Sequence, residues 1–160
     1  MPLLYGVWKR FGTVRRACTV TLMVSSTAPL LSVVVPTRNE AGNVGPLVQR
    51  LSAVLEGVPT EVIFVDDSSD DTPIILGALA AEPPPGITIR LLHRPGERQT
   101  GLGSAATEGL GMATGNLVAV MDGDLQHPPE LLTRMIRALE DGDLDVVVAS
   151  RYTAGGSARG

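Results

Sequence analysis

Five short apolar runs set what this chain can fold into. They are Leu31–Pro36, Glu61–Val65, Ile87–Leu92, Leu117–Met121 and Asp145–Ser150. Runs of this length, rich in Val, Ile and Leu, read as strands buried on both faces of a parallel sheet. Helical spacing fills the gaps between them. Val44, Leu47, Val48, Leu51, Val54 and Leu55 form one apolar stripe, which Gly57 and Pro59 stop. Ile74, Ile75, Ala78, Leu79 and Ala80 form a second, ended by Pro83-Pro84-Pro85-Gly86. A third helix follows Gly101-Leu102-Gly103-Ser104-Ala105-Ala106 and ends near Gly115. A fourth starts at Pro128-Pro129 and carries Leu131, Leu132, Met135, Ile136 and Leu139 on one face. Strand alternating with helix, without an internal repeat, predicts an α/β fold: a Rossmann-like parallel sheet in a three-layer α/β/α sandwich.

In such a sheet the carboxyl ends of the strands border the ligand crevice. Every strand end is therefore a candidate for chemistry. The first delivers Thr37, Arg38 and Glu40, the second Asp66 and Asp67, the fourth Asp122 and Asp124, and the fifth Arg151. Asp122 and Asp124 are one residue apart, with Gln126 two positions on. Neighbouring carboxylates repel, and at neutral pH they call for a cation. A hard divalent ion such as Mg²⁺ or Mn²⁺ takes oxygen ligands and keeps phosphate in its shell. Asp70 and Thr72 are read instead as turn and cap residues at the entry to the second helix. His127, just ahead of Pro128, is read as a helix-entry residue rather than a ligand.

Charge is distributed unevenly. Residues 1–39 hold five basic residues and no acid, whereas residues 40–160 hold eight arginines against all seventeen acids, a net charge of −9. That acidic body and the scarcity of aromatics argue against nucleic-acid binding. Cys18 is the single cysteine, which removes disulfide frameworks and thiolate metal sites and fits a reducing, cytosolic compartment. Residues 1–29 stand apart: four basic residues, then a short apolar run from Ala17 to Val24 broken by two threonines. The run is too short to span a bilayer, which takes about 20 apolar residues. This segment is expected to be a disordered leader, or an upstream extension with the start at Met23. A basic membrane-surface tether is the minority reading. The domain proper is expected over residues 30–160.

Rival chemistries lack necessary parts. A phosphatase with a nucleophilic Asp in an Asp-x-Asp motif is expected to carry a phosphate-binding lysine downstream, and the only lysine is Lys9. The Gly101-Leu102-Gly103-Ser104-Ala105-Ala106 pattern matches a dinucleotide fingerprint, but eight residues separate it from its strand, so a close helix-packing turn is preferred. No Gly-x-x-x-x-Gly-Lys loop is present.

Four motifs in order carry a resemblance. They are Val33-Val34-Val35-Pro36-Thr37-Arg38-Asn39-Glu40, Val65-Asp66-Asp67-Ser68-Ser69-Asp70-Asp71-Thr72, Asp122-Gly123-Asp124-Leu125-Gln126-His127-Pro128-Pro129-Glu130, and Ser150-Arg151-Tyr152. Over roughly residues 30 to 157 the chain resembles the family-2 glycosyltransferases of GT-A fold. Within them it resembles the dolichol-phosphate mannosyltransferase and polyprenyl-phosphate hexosyltransferase branch. Arg98-Gln99-Thr100-Gly101-Leu102-Gly103-Ser104-Ala105 is similar to that branch's acceptor-side loop.

The resemblance implies roles. Pro36, Thr37 and Glu40 line a nucleotide-sugar pocket, Asp66 and Asp67 hold the base and its surroundings, and Asp122 joins them. Asp122, Asp124 and Gln126 hold Mg²⁺ or Mn²⁺. Asp124, Arg151 and Arg98 carry the catalytic work at the donor and acceptor phosphates. The implied reaction transfers a hexose, mannose first, from a donor such as GDP-mannose or a UDP-hexose to a polyprenyl or dolichyl phosphate, with inversion, at the cytosolic face of a membrane. An acceptor phosphate is already ionised at neutral pH, so no histidine base is required. The alternative reading is a non-catalytic nucleotide-sugar-binding module or an inactive fragment, because this branch continues into further sheet and membrane-facing helices, whereas this chain stops nine residues after Arg151.

Overall fold

In the computed structural model, which describes residues 6–9, 29–96 and 101–150, six strands form one sheet flanked by four helices. The strands are β1 (Gly6–Lys9), β2 (Leu31–Thr37), β3 (Thr60–Asp66), β4 (Ile87–His93), β5 (Leu117–Val120) and β6 (Val146–Val148). The helices are α1 (Val44–Val54), α2 (Thr72–Ala81), α3 (Leu102–Met112) and α4 (Leu131–Asp141). Strand order is β4-β3-β2-β5-β1-β6. β4, β3, β2 and β5 pair in parallel, as the apolar runs predict. Every residue of β2 and β3 is buried, the mark of strands covered on both faces.

The leader expectation is corrected in part. Gly6–Lys9, assigned from the sequence to a disordered segment, is a strand between β5 and β6. It runs antiparallel to both, with Gly6 opposite Val120 and Val148. The parallel sheet stands as expected, with β1 as one antiparallel strand added to it. β6 still points the same way as β5, but it reaches the sheet through β1. A four-residue strand filling an otherwise open edge satisfies backbone groups without needing an apolar run of its own, so hydrophobic patterning could not announce it.

The two faces of the sheet are unequal. Helices α1, α2 and α4 cover one face over a core that includes Val33, Val35, Phe64, Leu47, Leu76 and Leu132. α4 turns Leu132, Met135, Ile136 and Leu139 inward, as its spacing predicts. α3 covers the other face, packing Ala105 and the following Ala113 onto Val34, Ile63, Val65, Val118 and Val120. Small residues let it lie close. A Cβ added at Gly109 would collide with the Val34 side chain, and one at Gly115 would sit 2.7 Å from the Ser32 backbone nitrogen. The close packing expected of the Gly101-Leu102-Gly103 turn therefore falls farther along, at Gly109. Gly101 instead turns the chain into α3 with φ +99°.

Candidate active site: a cleft across three strand ends

The carboxyl ends of β3, β2 and β5 open on a cleft of about 410 Å³. Its rim is stitched by side chains standing in for regular structure. The Asn39 N–H donates to Ser68 Oγ (2.7 Å), and the Ser69 N–H donates to Asn39 Oδ1 (2.9 Å), tying the β2–α1 loop to the β3–α2 loop. The Glu40 N–H donates to Thr72 Oγ1 (2.9 Å). Asp70 accepts the Thr72 hydroxyl (2.5 Å) and backbone N–H (3.0 Å), and these bonds, the hydroxyl's first, hold its carboxyl below the ordinary range. Asp70 and Thr72 thus organise the entry to α2, as the sequence predicts.

Most of the expected residues converge. Pro36, Thr37, Glu40, Asp67, Asp122, Asp124 and Gln126 all line the cleft, with Arg38 beside them. β3 and β5 flank β2, so Asp67 and Asp122 face each other across two strand spacings, about 10 Å. Asp66 does not border the cleft. Successive strand residues point to opposite sides, and Asp66 turns inward where Asp67 turns to the cleft. Fully buried, it accepts hydrogen bonds from the Thr37 hydroxyl (2.9 Å) and the Ser68 hydroxyl (2.5 Å), and lies 2.8 Å from His93 Nδ1. Its carboxylate holds the Thr37 hydroxyl in place. Arg98 and Arg151 lie outside the described residues.

At the β5 end the loop doubles back tightly. Leu125 adopts a φ of +62°, and a Cβ at Gly123 would stand 3.0 Å from Thr37 Cγ2. Asp124 Oδ1 accepts the Gln126 N–H (3.0 Å). The turn brings His127 back to the two carboxylates: one ligand atom from each of Asp122, Asp124 and His127 lies within 4.8 Å of the others, and His127 Nδ1 is 3.6 Å from Asp122 Oδ2. Two carboxylate oxygens and an imidazole nitrogen fit a divalent ion of the Mn²⁺ type. His127, read from the sequence as a helix-entry residue rather than a ligand, stands beside the two carboxylates. Gln126 borders the cleft with an exposed side chain.

One buried residue behind the cleft has no warning in the sequence. Arg94 follows β4 directly and is fully buried. Its Nε and Nη2 donate to Asp67 Oδ1 (2.8 Å) and Oδ2 (2.6 Å), and its Nη1 donates to Ser104 Oγ (3.0 Å) and Glu108 Oε1 (3.1 Å) on α3. The bonds to Asp67 hold the guanidinium above its ordinary value. An arginine beside a proline in a polar loop looks solvated until the fold buries it.

Known proteins now bear on the chain. The family model Glycosyl transferase family 2 matches residues 32–159. The chain is 37% identical over 126 residues to a dolichol-phosphate mannosyltransferase of Pyrococcus furiosus, covering 79% of this chain and 34% of that protein. It is 39% identical over 138 residues to a dolichol-phosphate mannosyltransferase of Mycosarcoma maydis, covering 82% and 45%. It therefore spans less than half the length of these relatives. Among solved structures, the mannosyltransferase PcManGT from Pyrobaculum calidifontis, in complex with GDP-Man and Mn²⁺, superposes with a TM-score of 0.52 at 29% identity, over 61% of this chain and 28% of that one. The chain belongs to glycosyl transferase family 2 and has the GT-A fold.

Proposed function

We propose that the chain forms the donor-binding half of an inverting hexosyltransferase that moves mannose from GDP-mannose to a polyprenyl phosphate. One observation carries the reading: a carboxylate–imidazole cluster of Asp122, Asp124 and His127 shares a cleft with Asp67, two strands away. The spacing suits a nucleotide with its diphosphate at one end and its base at the other. The relatives' names support the sugar and the acceptor class.

Asp122, Asp124 and His127 would hold Mn²⁺ or Mg²⁺, with Gln126 at the rim; such an ion supplies Lewis-acid stabilisation of the charge that a departing diphosphate develops. The chain's own residues do the rest. Thr37, locked by Asp66, and Pro36 form the floor under the donor. Asp67 offers acceptor oxygens to N–H groups of the base. Arg38, exposed at the cleft, adds positive charge near the phosphates. The acceptor phosphate is an anion at neutral pH and attacks the anomeric carbon without a general base, so orientation and charge placement supply most of the acceleration. A polyprenyl acceptor brings the reaction to a membrane surface, and we assign it to the cytosolic face. Among the described residues no helix is long and apolar enough to cross a membrane.

Calorimetry with GDP and UDP, with and without Mn²⁺, on wild type and Asp124→Asn tests the reading. Mn²⁺-dependent GDP binding that drops on the order of tenfold or more in the variant is expected. Binding that ignores both metal and substitution would sink the metal assignment, and tighter UDP than GDP binding would replace mannose with a UDP-linked hexose. Nucleotide binding without hexose transfer to polyprenyl phosphate would leave a nucleotide-sugar-binding module.

A further inference from the structure

Arg94 is a cost without an obvious return. Burying a guanidinium is unfavourable unless charge and hydrogen bonds compensate, and apolar residues of similar volume fill such space at least as well. Here the compensation is nearly complete and leads in one direction. The Nε/Nη2 fork takes both Asp67 oxygens in bidentate geometry. The remaining nitrogen, Nη1, reaches Ser104 and Glu108 on α3. Ser104 passes the link on, its hydroxyl donating to the Gly101 carbonyl (2.7 Å). Gly101 and Leu102 form the cleft wall on the α3 side, and Asp67 lies on the β3 side. A single chain of bonds, Asp67–Arg94–Ser104–Gly101, therefore runs behind the cleft from one wall to the other. The Arg94 N–H is also bonded to the Asp66 carbonyl (2.8 Å), so the guanidinium starts from a fixed backbone position.

We propose that Arg94 is the positioning residue for the base end of the cleft. It does not line the cavity. It acts through Asp67, presenting the carboxylate as a pair of acceptor oxygens at a set angle, and through Ser104, holding the α3 wall at a set distance. The diphosphate end, built on Asp122, Asp124 and His127, belongs to a different strand exit. A base and a diphosphate should therefore respond differently to its loss. The inference rests on the nucleotide-sugar reading above, because it needs the Asp67 end to hold a base. Lysine at this position keeps the charge but has no fork, and one ammonium cannot hold both carboxylate oxygens and the helix at once.

The test compares a ligand with a base and one without. Dissociation constants for GDP and UDP with Mn²⁺, and for inorganic pyrophosphate with Mn²⁺, are measured on the full chain and on Arg94→Lys, with a thermal melt of each protein. GDP and UDP binding should weaken on the order of tenfold, the scale of a lost bond to a charged group, while the Mn²⁺–pyrophosphate constant stays put. Ser104→Ala keeps the arginine and suits a helix, so it tests the same link if Arg94→Lys does not fold. It should weaken nucleotide binding roughly threefold and leave pyrophosphate unchanged. Equal loss of nucleotide and pyrophosphate would make Arg94 a structural residue only and overturn the proposal, as would unchanged nucleotide binding in both variants. Wild type that binds Mn²⁺–pyrophosphate but neither nucleotide would overturn the nucleotide-sugar reading itself, a separate failure visible before any variant is made.

Discussion

The two ends of α3 are fastened to the sheet by the same kind of bond and to different effect. At its C-terminal end Arg90 of β4 donates to Glu61 Oε2 (3.1 Å) and to the Met112 carbonyl (2.8 Å). Glu61 Oε1 accepts from the Ser32 hydroxyl (2.5 Å), the Thr114 N–H (2.6 Å) and the Thr114 hydroxyl (2.7 Å), and Ser32 Oγ takes the Gly115 N–H (2.8 Å). Every acceptor is spent inside the protein, and Arg90 lies partly in water, its side chain 42% exposed. At the N-terminal end Arg94 is 0% exposed, and its carboxylate partner borders a cavity. One pair closes a helix end. The other leaves a carboxylate held from behind and open in front. What sets the two arginine–carboxylate pairs apart is thus not their chemistry but that only Asp67 borders the cleft.

Substitutions can test that difference. The largest effect is expected from Arg94→Met, which strands the Asp67 carboxylate without its fork; about 3–5 kcal/mol of stability should go, read from urea unfolding. If Arg90→Met costs as much, the two ends are equivalent and the contrast fails. Next comes Gly109→Ala, midway between the ends. Its Cβ would push on Val34 and should cost about 1–3 kcal/mol, with α3 displaced as a unit, so that nucleotide binding weakens together with stability.

Acid tests the C-terminal fastening. Burial alone would raise the Glu61 carboxyl, but the bonds from Ser32, Thr114 and Arg90 outweigh it and hold the group below its ordinary 4.5. A depressed folded-state value means the ionised form is favoured by folding. The C-terminal fastening therefore contributes fully above pH 4.5 and is lost as pH falls through the lower folded value. Unfolding free energies of wild type and Glu61→Gln, taken from pH 7 downward, should differ most near neutrality and converge in acid. A constant gap would remove the carboxylate's charge from the account. Smallest of all should be Arg90→Met, at most about 1 kcal/mol for a partly exposed pair, and weakened further by salt.

Much of this was readable before any coordinates. The strands β2 to β5 declared themselves by apolar runs, and Asp67, Asp122, Asp124, Pro36, Thr37 and Glu40 by sitting where those runs stop. What escaped depended on distance in space. Asp66 and Asp67 are indistinguishable as letters, and only the strand's alternation decides which one meets the cleft. His127 joined the carboxylates because Leu125 turns the loop at a positive φ, a conformation that a leucine does not advertise. Arg94 was hidden by having its partners on β3 and α3, outside any local pattern. β1 was hidden by its length and by the basic company it keeps.

That short strand also sets an order of assembly. β1 precedes the other strands in sequence, yet the partners of Gly6 are Val120 and Val148, the one in the fourth apolar run and the other in the last. β2 to β5 pair directly with one another, whereas β6 meets the sheet through β1 and so joins once β1 lies beside β5. Pairings this remote in sequence form late and slowly. A product initiated at Met23 would lack β1, keep its cleft and lose the bridge to β6, so that the segment leading to Arg151 would have no ladder to follow. β1, easily passed over as a preamble, is the strand that joins last.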